Sequence, residues 1–425
     1  MLLYCPSSSY EKSKVKILVI NYYYEPYVGA HAYRWTQIAK VWAAAGHDVD
    51  VIAGRTEDCT REVREGVNIE RVGIIRRQSN EKPIVSKNPL RKQRIGFAKL
   101  IGALKKIYRF FFWPDGLWHW LPFLLVSLYR RRKNNYDLVI SYSPTFSAHI
   151  GGLFFKKNSK SSVAWIADYG DPFSTSETMQ PNNFKLYRRL NNWIEYLVIC
   201  SASYVTVTNQ STRSEYLKRF AVGLNKIKCV PHAVDISDFY CESRNVSGLK
   251  KFVYVGAFHK GIREPYEMLR FFDEVYRKSC ADFELHIYGP LNSCAIDFSR
   301  YSNIFYHGVV ARDKAIAVMK EADVLVNVEN ENCSMTPSKL VEYIATGKPI
   351  VNFAGADGCS ELLHKYYRSG YLFVLNGAEN FVNFFEFIEH VHSSNGLHNV
   401  REFLLDYDIS VISSVFLSMC SSHND

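Results

Sequence analysis

The run Pro337-Ser338-Lys339-Leu340-Val341-Glu342-Tyr343-Ile344-Ala345-Thr346-Gly347-Lys348-Pro349-Ile350 puts a base and an acid in the first turns of one expected helix. Pro337 suits a first turn, where its missing N–H is not needed, and Gly347 stops the helix. Free backbone N–H groups at such a start, with the helix dipole, favour an anion such as a diphosphate. Ser338 belongs to that start, and Lys339 adds a point charge beside it. Glu342 follows within two turns, and a carboxylate accepts two hydrogen bonds well from a ribose diol. A plain surface helix explains the proline and the glycine but not the placement of Lys339 and Glu342.

Four further positions have types suited to the same chemistry. Asp168 follows an apolar strand. There it can orient a hydroxyl of a second substrate, or serve as a turn carboxylate, the role read for Asp171. Gly29 and Gly256 each follow an expected first strand, where a glycine permits close backbone approach to a ligand or simply makes a tight turn. Lys260 and Arg263 come after Gly256; they can neutralise a departing diphosphate, or be solvated loop charges. The 13 histidines show no metal-ligand spacing, and His390 and His392 are read as incidental.

These residues need elements to hold them. Residues 15–20 form a short apolar run read as a strand, 32–45 a helix, and 48–52 the next strand, the opening of a βαβ unit. Strands continue at 68–74, 137–141, 162–167, 204–208 and 226–230, with helices at 146–155, 184–200 and 211–220. After a polar stretch around 241–250, read as a linker, the alternation restarts. Strands are expected at 252–256, 283–288, 303–307, 323–328, 350–353 and 371–375, with helices at 265–278, 311–321, 337–346 and 360–367. Such alternation predicts parallel sheets covered on both faces, with ligands outside the carboxyl ends of the strands. The expected division is 1–243, 244–404, and a C-terminal segment 405–425 able to pack back on the first domain.

Residues 91–133 stand apart. Phe97, Leu100, Ile101, Leu104, Tyr108 and Phe111 share one helical face, an aromatic run follows, and Arg130-Arg131-Arg132-Lys133 closes it. Two readings stand: a basic amphipathic stretch in a membrane interface, or an ordinary domain helix with a solvated charged face. The net charge is +10, which suits anionic lipid or phosphorylated ligands; without zinc-finger spacing or a basic tail, nucleic acid is the weakest partner class. Ten scattered cysteines without a Cys-x-x-Cys pair fit a reducing compartment. Residues 1–10 carry too short an apolar part for a signal peptide, and no stretch reaches a membrane span of about 18 apolar residues.

Glu342 and the turn Gly347-Lys348-Pro349-Ile350 resemble the glycosyltransferase family 4 group, whose matching helix carries the second glutamate of a Glu-x7-Glu motif before a Gly-x-Pro turn. Ser334 stands where the first glutamate would be, which bears on the donor-sugar contact. Other pieces follow in family order: Gly46-His47-Asp48-Val49, Ser141-Tyr142-Ser143-Pro144, Trp165-Ile166-Ala167-Asp168-Tyr169-Gly170-Asp171-Pro172, Val230-Pro231-His232-Ala233-Val234-Asp235 and Tyr254-Val255-Gly256. The form Pro-Ser-Lys-Leu-x-Glu-Tyr is similar to a subgroup common among bacterial surface-polysaccharide enzymes.

The resemblance implies a GT-B fold, two Rossmann-like domains facing a cleft. It implies metal-independent transfer from a nucleotide-sugar to a glycan or lipid-linked acceptor, with retention of configuration and no cofactor. The implied donor-side residues are Gly256, Lys260, Arg263, Ser338, Lys339 and Glu342. Asp168, Arg263 and Lys339 are implied in catalysis, with Gly29 and Asp168 on the acceptor side. The implied setting is the cytoplasm, or the inner face of the cell membrane. The alternatives are a nucleotide-sugar epimerase of the same fold and a non-catalytic scaffold, towards which Ser334 points.

Overall fold

The computed structural model describes residues 14–27, 29–56, 58–75, 108, 110–159, 163–175, 180–239, 251–279, 282–331, 338–354, 361–367, 370, 372–375, 381–393 and 403–424. Two sheets form, each from its own half of the chain.

The first sheet contains β1 (Lys16–Ile20), β2 (Asp48–Gly54), β3 (Arg61–Arg64), β4 (Val67–Val72), β5 (Leu138–Ser143), β6 (Ala164–Tyr169), β7 (Tyr204–Val207) and β8 (Ile227–Cys229). Their spatial order is β3-β4-β2-β1-β5-β6-β7-β8, parallel except where β3 meets β4. Its helices are α1 (Ala30–Ala44), α2 (Leu121–Arg131), α3 (Phe146–Asn158), α4 (Phe184–Ser201), α5 (Gln210–Phe220) and the short α6 (Ile236–Phe239).

The second sheet contains β9 (Lys251–Val255), β10 (Glu284–Tyr288), β11 (Ile304–Gly308), β12 (Val324–Val328), β13 (Ile350–Phe353) and β14 (Leu372–Leu375). Its order is β11-β10-β9-β12-β13-β14, every pairing parallel. Helices α7 (Tyr266–Ser279), α8 (Arg312–Glu321), α9 (Ser338–Ala345), α10 (Glu361–Tyr367) and α11 (Phe381–Ser393) accompany it.

Side chains alternate across each pleat, so a strand buried on both faces is apolar throughout. In β1, Ile17 and Val19 join one core layer while Leu18 and Ile20 join the other. In β9, Phe252 and Tyr254 face one layer and Val253 and Val255 its opposite. Strand order reverses between β1 and β5 and between β9 and β12, and a crevice opens at each of those points.

Strand β3 was not among the expected elements. Its sequence, Arg-Glu-Val-Arg, is charged and has no apolar run, because it lies at the sheet edge. The signal present is the turn Glu65-Gly66, both with positive φ (46° and 80°), as a two-residue hairpin requires.

Residues 91–107 and 109 of the basic, aromatic segment lie outside the described residues. So do the expected linker and Ser334 and Pro337. The part that forms α2 is domain structure on its inner side: Leu124 and Leu128 enter the core, and Arg131 pairs with Glu70. Among the described residues no helix is long and apolar enough to cross a membrane.

The chain's last helix, α12 (Ile409–Asn424), packs on α1 of the first sheet. Phe416 lies 5.0 Å from Trp35 and 6.4 Å from Trp42 between ring centroids, and the Trp42 indole N–H donates to the Ser413 carbonyl (3.1 Å). Val234 and Ile409 share a backbone hydrogen bond (3.0 Å), so the end of the first domain is stitched to the chain's return. Phe416→Ala removes the centre of this contact, and truncating a buried phenylalanine costs about 3–5 kcal/mol. Urea unfolding followed by tryptophan fluorescence should show a lower midpoint for the transition reported by Trp35 and Trp42.

Candidate active site between the two sheets

A cleft of about 460 Å³ lies between the carboxyl ends of the two sheets. Its second-domain wall is a glycine cradle. Gly256 follows β9, and Gly289 follows β10 with φ +130°. A Cβ on Gly289 would stand 2.0 Å from the Gly256 carbonyl oxygen, so no other residue fits without moving backbone. The loops are held together by hydrogen bonds from the Gly256 N–H to the Tyr288 carbonyl (2.9 Å) and from the Phe258 N–H to the Pro290 carbonyl (3.0 Å).

Beside the cradle stands a three-charge cluster. Glu342 of α9 accepts from Lys339 Nζ through Oε2 (2.6 Å) and from Arg312 Nη1 through Oε1 (3.1 Å). Each carboxylate oxygen has two acceptor sites, so Glu342 retains capacity for a ligand hydroxyl. The Arg312 guanidinium also stacks 3.5 Å from the Tyr33 ring centre in the first domain. Burial opposes its charge, yet the Glu342 carboxylate beside it holds its pKa above the ordinary arginine value. Burial likewise pushes Tyr33 up to about 12, so its hydroxyl stays protonated and points to Asp238 Oδ2 (3.4 Å).

Of the expected donor-side residues, the structure brings Gly256, Lys339 and Glu342 into this cleft. Ser338 begins α9, as expected of the helix start; its side chain lies outside the described residues. Gly29 lines the opposite wall, where a Cβ would make ordinary contact with the Tyr27 ring at 3.5 Å.

Lys260 and Arg263, also expected on the donor side, are not among the residues that line the cleft. Lys260 is exposed. Arg263 is held by polar groups of its own loops, donating through Nε and Nη2 to Asn330 Oδ1 (3.0 and 2.7 Å) and through Nη1 to the Ala257 carbonyl (3.4 Å). The second cation of the cleft is Arg312 instead. A signal for it was present, because a cation in the first turn of a helix opposes the dipole and calls for a local acid or a bound anion.

Asp168 is also corrected. It is sealed from water, and its oxygens accept from Arg34 Nε (3.2 Å), Trp35 Nε1 (3.1 Å) and Thr206 Oγ1 (2.6 Å). No acceptor hydroxyl can reach it. The neighbouring Asp171, read as a turn residue, is the accessible one. It lies 3.7 Å from His31 Nε2, while His31 Nδ1 meets the Tyr142 hydroxyl at 2.9 Å. His31, two residues beyond Gly29, was not singled out in the sequence. Burial, with Arg34 and His31 nearby, pushes the neighbouring His232 down to about 3, so it is neutral at ordinary pH.

A second cavity of about 310 Å³ opens within the first domain, bordered by Tyr23, Thr145, Asp171 and Phe173. Asp115 at its wall accepts from the backbone N–H groups of Ser147 and Leu117 (both 2.8 Å). The start of α3 is thus already occupied by an acid of the chain, and a second acid, Asp171, faces the same space. That lining suits hydroxyl donors better than anions. The buried Thr145 hydroxyl adds a polar atom without a hydrogen-bond partner among the described residues. His31 touches Asp171 of this cavity and lies between Gly29 and Tyr33 of the first cleft, so it stands at the junction of the two.

Two family models match the chain in series: Glycosyltransferase Family 4 over residues 31–238 and Glycosyl transferases group 1 over residues 249–415. The chain belongs to the family 4-like glycosyltransferases of GT-B fold. Among solved structures it is similar to HepE of Anabaena in complex with UDP-glucose (14 % identity, 96 % of this chain and 99 % of that one, TM-score 0.57). It is also similar to a glycosyltransferase of Rickettsia africae (13 %, 97 % and 99 %, 0.55). A third similar structure is the lipopolysaccharide outer core galactosyltransferase WaaB (11 %, 96 % and 99 %, 0.55). Likeness at these identities shows the fold. No curated protein matches the chain.

The glycosyltransferase's two neighbouring aspartates should respond differently to substitution. Asp168→Ala leaves Arg34 buried without its counter-charge, which costs about 3–5 kcal/mol. Asp171→Asn, at a part-exposed position, should change stability by less than about 0.5 kcal/mol. Chemical denaturation of both variants checks the contrast.

Proposed function

We propose that this glycosyltransferase moves a sugar from a nucleoside-diphosphate donor in the interdomain cleft to a hydroxyl of an acceptor in the first-domain cavity. The observation carrying the proposal is the Arg312–Glu342–Lys339 cluster beside the Gly256–Gly289 cradle. One acid between two cations, next to glycine loops that admit close approach, matches a nucleotide's ribose diol and diphosphate. The HepE structures hold UDP-glucose and UDP, which supports a nucleotide-sugar as the donor.

In this reading Glu342 accepts from the ribose, and Arg312 and Lys339 face the diphosphate. Their charge, with the helix start at Ser338, stabilises the phosphate as the bond from the anomeric carbon to its oxygen breaks. The acceptor oxygen bonds to the same face, its proton passes to the leaving phosphate, and configuration is retained. His31, set by Tyr142, orients the acceptor hydroxyl. With two protein cations at the leaving group, transfer requires no divalent metal. The acidic cavity suits a glycan head group, and a lipid-linked or polysaccharide intermediate of the cell surface is the acceptor class proposed. The enzyme then works at the inner face of the cell membrane.

Nucleoside diphosphates should raise the melting temperature, because they bind the folded state alone. Glu342→Gln keeps the side chain's shape but removes a charged acceptor, which is worth about 1.5 kcal/mol or more, or roughly tenfold in affinity for UDP. His31→Ala should lower kcat while leaving UDP affinity unchanged, and EDTA should leave transfer intact. If no nucleoside diphosphate shifts the melting temperature, the cleft is not a nucleotide site.

A further inference from the structure

Helix α4 is apolar on two sides. Its inner side places Ile194, Val198 and Ile199 in the core, together with its one acid, Glu195. Its outer side presents Leu186, Leu190, Trp193 and Tyr196, spaced four, three and three residues apart, which puts them on one face. All four are exposed, Trp193 by 57 %. A surface helix ordinarily turns an all-polar face to water, whereas this one exposes large apolar side chains among its charges. The charged residues exposed around that face are Lys185, Arg188 and Arg189, all basic.

The face continues beyond the helix. The Asn183 side-chain amide donates to the Phe110 carbonyl (3.3 Å), and the Tyr187 hydroxyl to the Phe111 carbonyl (2.7 Å). Phe110 and Phe111 are themselves exposed, Phe111 by 61 %. In the same segment Trp118 donates its indole N–H to the Tyr108 hydroxyl (2.8 Å), and both rings are exposed. A tryptophan- and tyrosine-rich apolar surface with basic flanks has the composition of a membrane-interface surface: aromatic rings at headgroup depth and cations against anionic lipid.

We propose that the outer face of α4 and the segment 110–118 together dock on an anionic bilayer surface. The same two parts of the chain border the acceptor-side cavity. Gly116 and Leu117 contribute one wall, and Pro181, just before α4, contributes another. Docking therefore sets the mouth of that cavity at headgroup level, where the sugar of a lipid-linked acceptor enters it. This last step rests on the acceptor reading above; the docking itself rests on the patch.

The test uses the full chain and sedimentation with vesicles of phosphatidylcholine containing 30 % phosphatidylglycerol (a chosen composition, about one lipid in three anionic). The unmodified protein should pellet with these vesicles at low salt and more weakly at high salt, and should bind pure phosphatidylcholine less. Leu190→Ser with Trp193→Ser, at exposed positions, should reduce vesicle partitioning about tenfold at either salt. Arg188→Gln with Arg189→Gln should remove mainly the salt-sensitive part. UDP-induced thermal shifts should be unchanged in all of these variants, which separates loss of docking from loss of the donor site. Recovery of the unmodified protein in the supernatant with anionic vesicles at low salt overturns the proposal. So does undiminished pelleting of the serine variant, or a dimer in analytical ultracentrifugation that the serine substitutions abolish, since the face would then belong to a second copy.

Discussion

Arg34 and Asp168 are both withdrawn from water, and their contact at 3.2 Å joins the first turns of α1 to the carboxyl-terminal half of β6. Removing two charges from solvent costs several kcal/mol each, and their attraction offsets this only when the remaining donors and acceptors are also satisfied. Here they are. Arg34 also donates to the carbonyls of Val230 and Pro231, and Asp168 also accepts from Trp35 and Thr206. One buried pair therefore sets the height of α1 against β6, β7 and the end of the domain. His31 and Tyr33 lie on that same helix start. The approach of His31 to Tyr142 and of Tyr33 to Arg312 follows from a contact that itself meets no ligand.

The domains meet through a second arginine. Arg312 uses its guanidinium edge for Glu342 within its own domain and its flat face for Tyr33 across the cleft. A planar, delocalised cation can do both at once; an ammonium cannot stack in this way. The charge cluster of the cleft and the domain contact thus share one residue. In the proposed reading, a donor that draws on the charge of Arg312 also acts on the contact that brings the first domain over the second.

The fold was legible because both sheets are buried on both faces. Parallel strands of that kind are continuous apolar runs, and the runs at 15–20, 252–256 and 350–353 became β1, β9 and β13 nearly residue for residue. The strand that escaped notice, β3, lies at an edge, where charge replaces apolar pattern. The site was legible in part. Lys339 and Glu342 were found because an acid and a base in the first turns of a helix are uncommon without a ligand or a partner, and they proved to be each other's partners as well as cleft residues. Asp168 and Arg263 lie outside the cleft's lining for a common reason. Residue type and position after a strand do not reveal how many local partners a charged group will find, and both found polar partners inside their own domain.

The same limit applies to the outer face of α4. Periodicity identifies one apolar stripe per helix and assigns it to the core, so a helix with two stripes reads as more deeply buried than it is. Only the packing separates them: Val198 and Ile199 are enclosed, whereas Leu186 and Trp193 are open. Charge distribution carries the information that periodicity lacks. A fully buried helix excludes charges all round, but α4 keeps Lys185, Arg188 and Arg189 near its start and its one acid in the core. A segment apolar on two sides, with basic residues on its open side, is therefore a surface helix whose composition suits the negative, oily neighbour proposed above. The proposal joins the sequence's basic excess to a definite place on the molecule, beside the first-domain cavity.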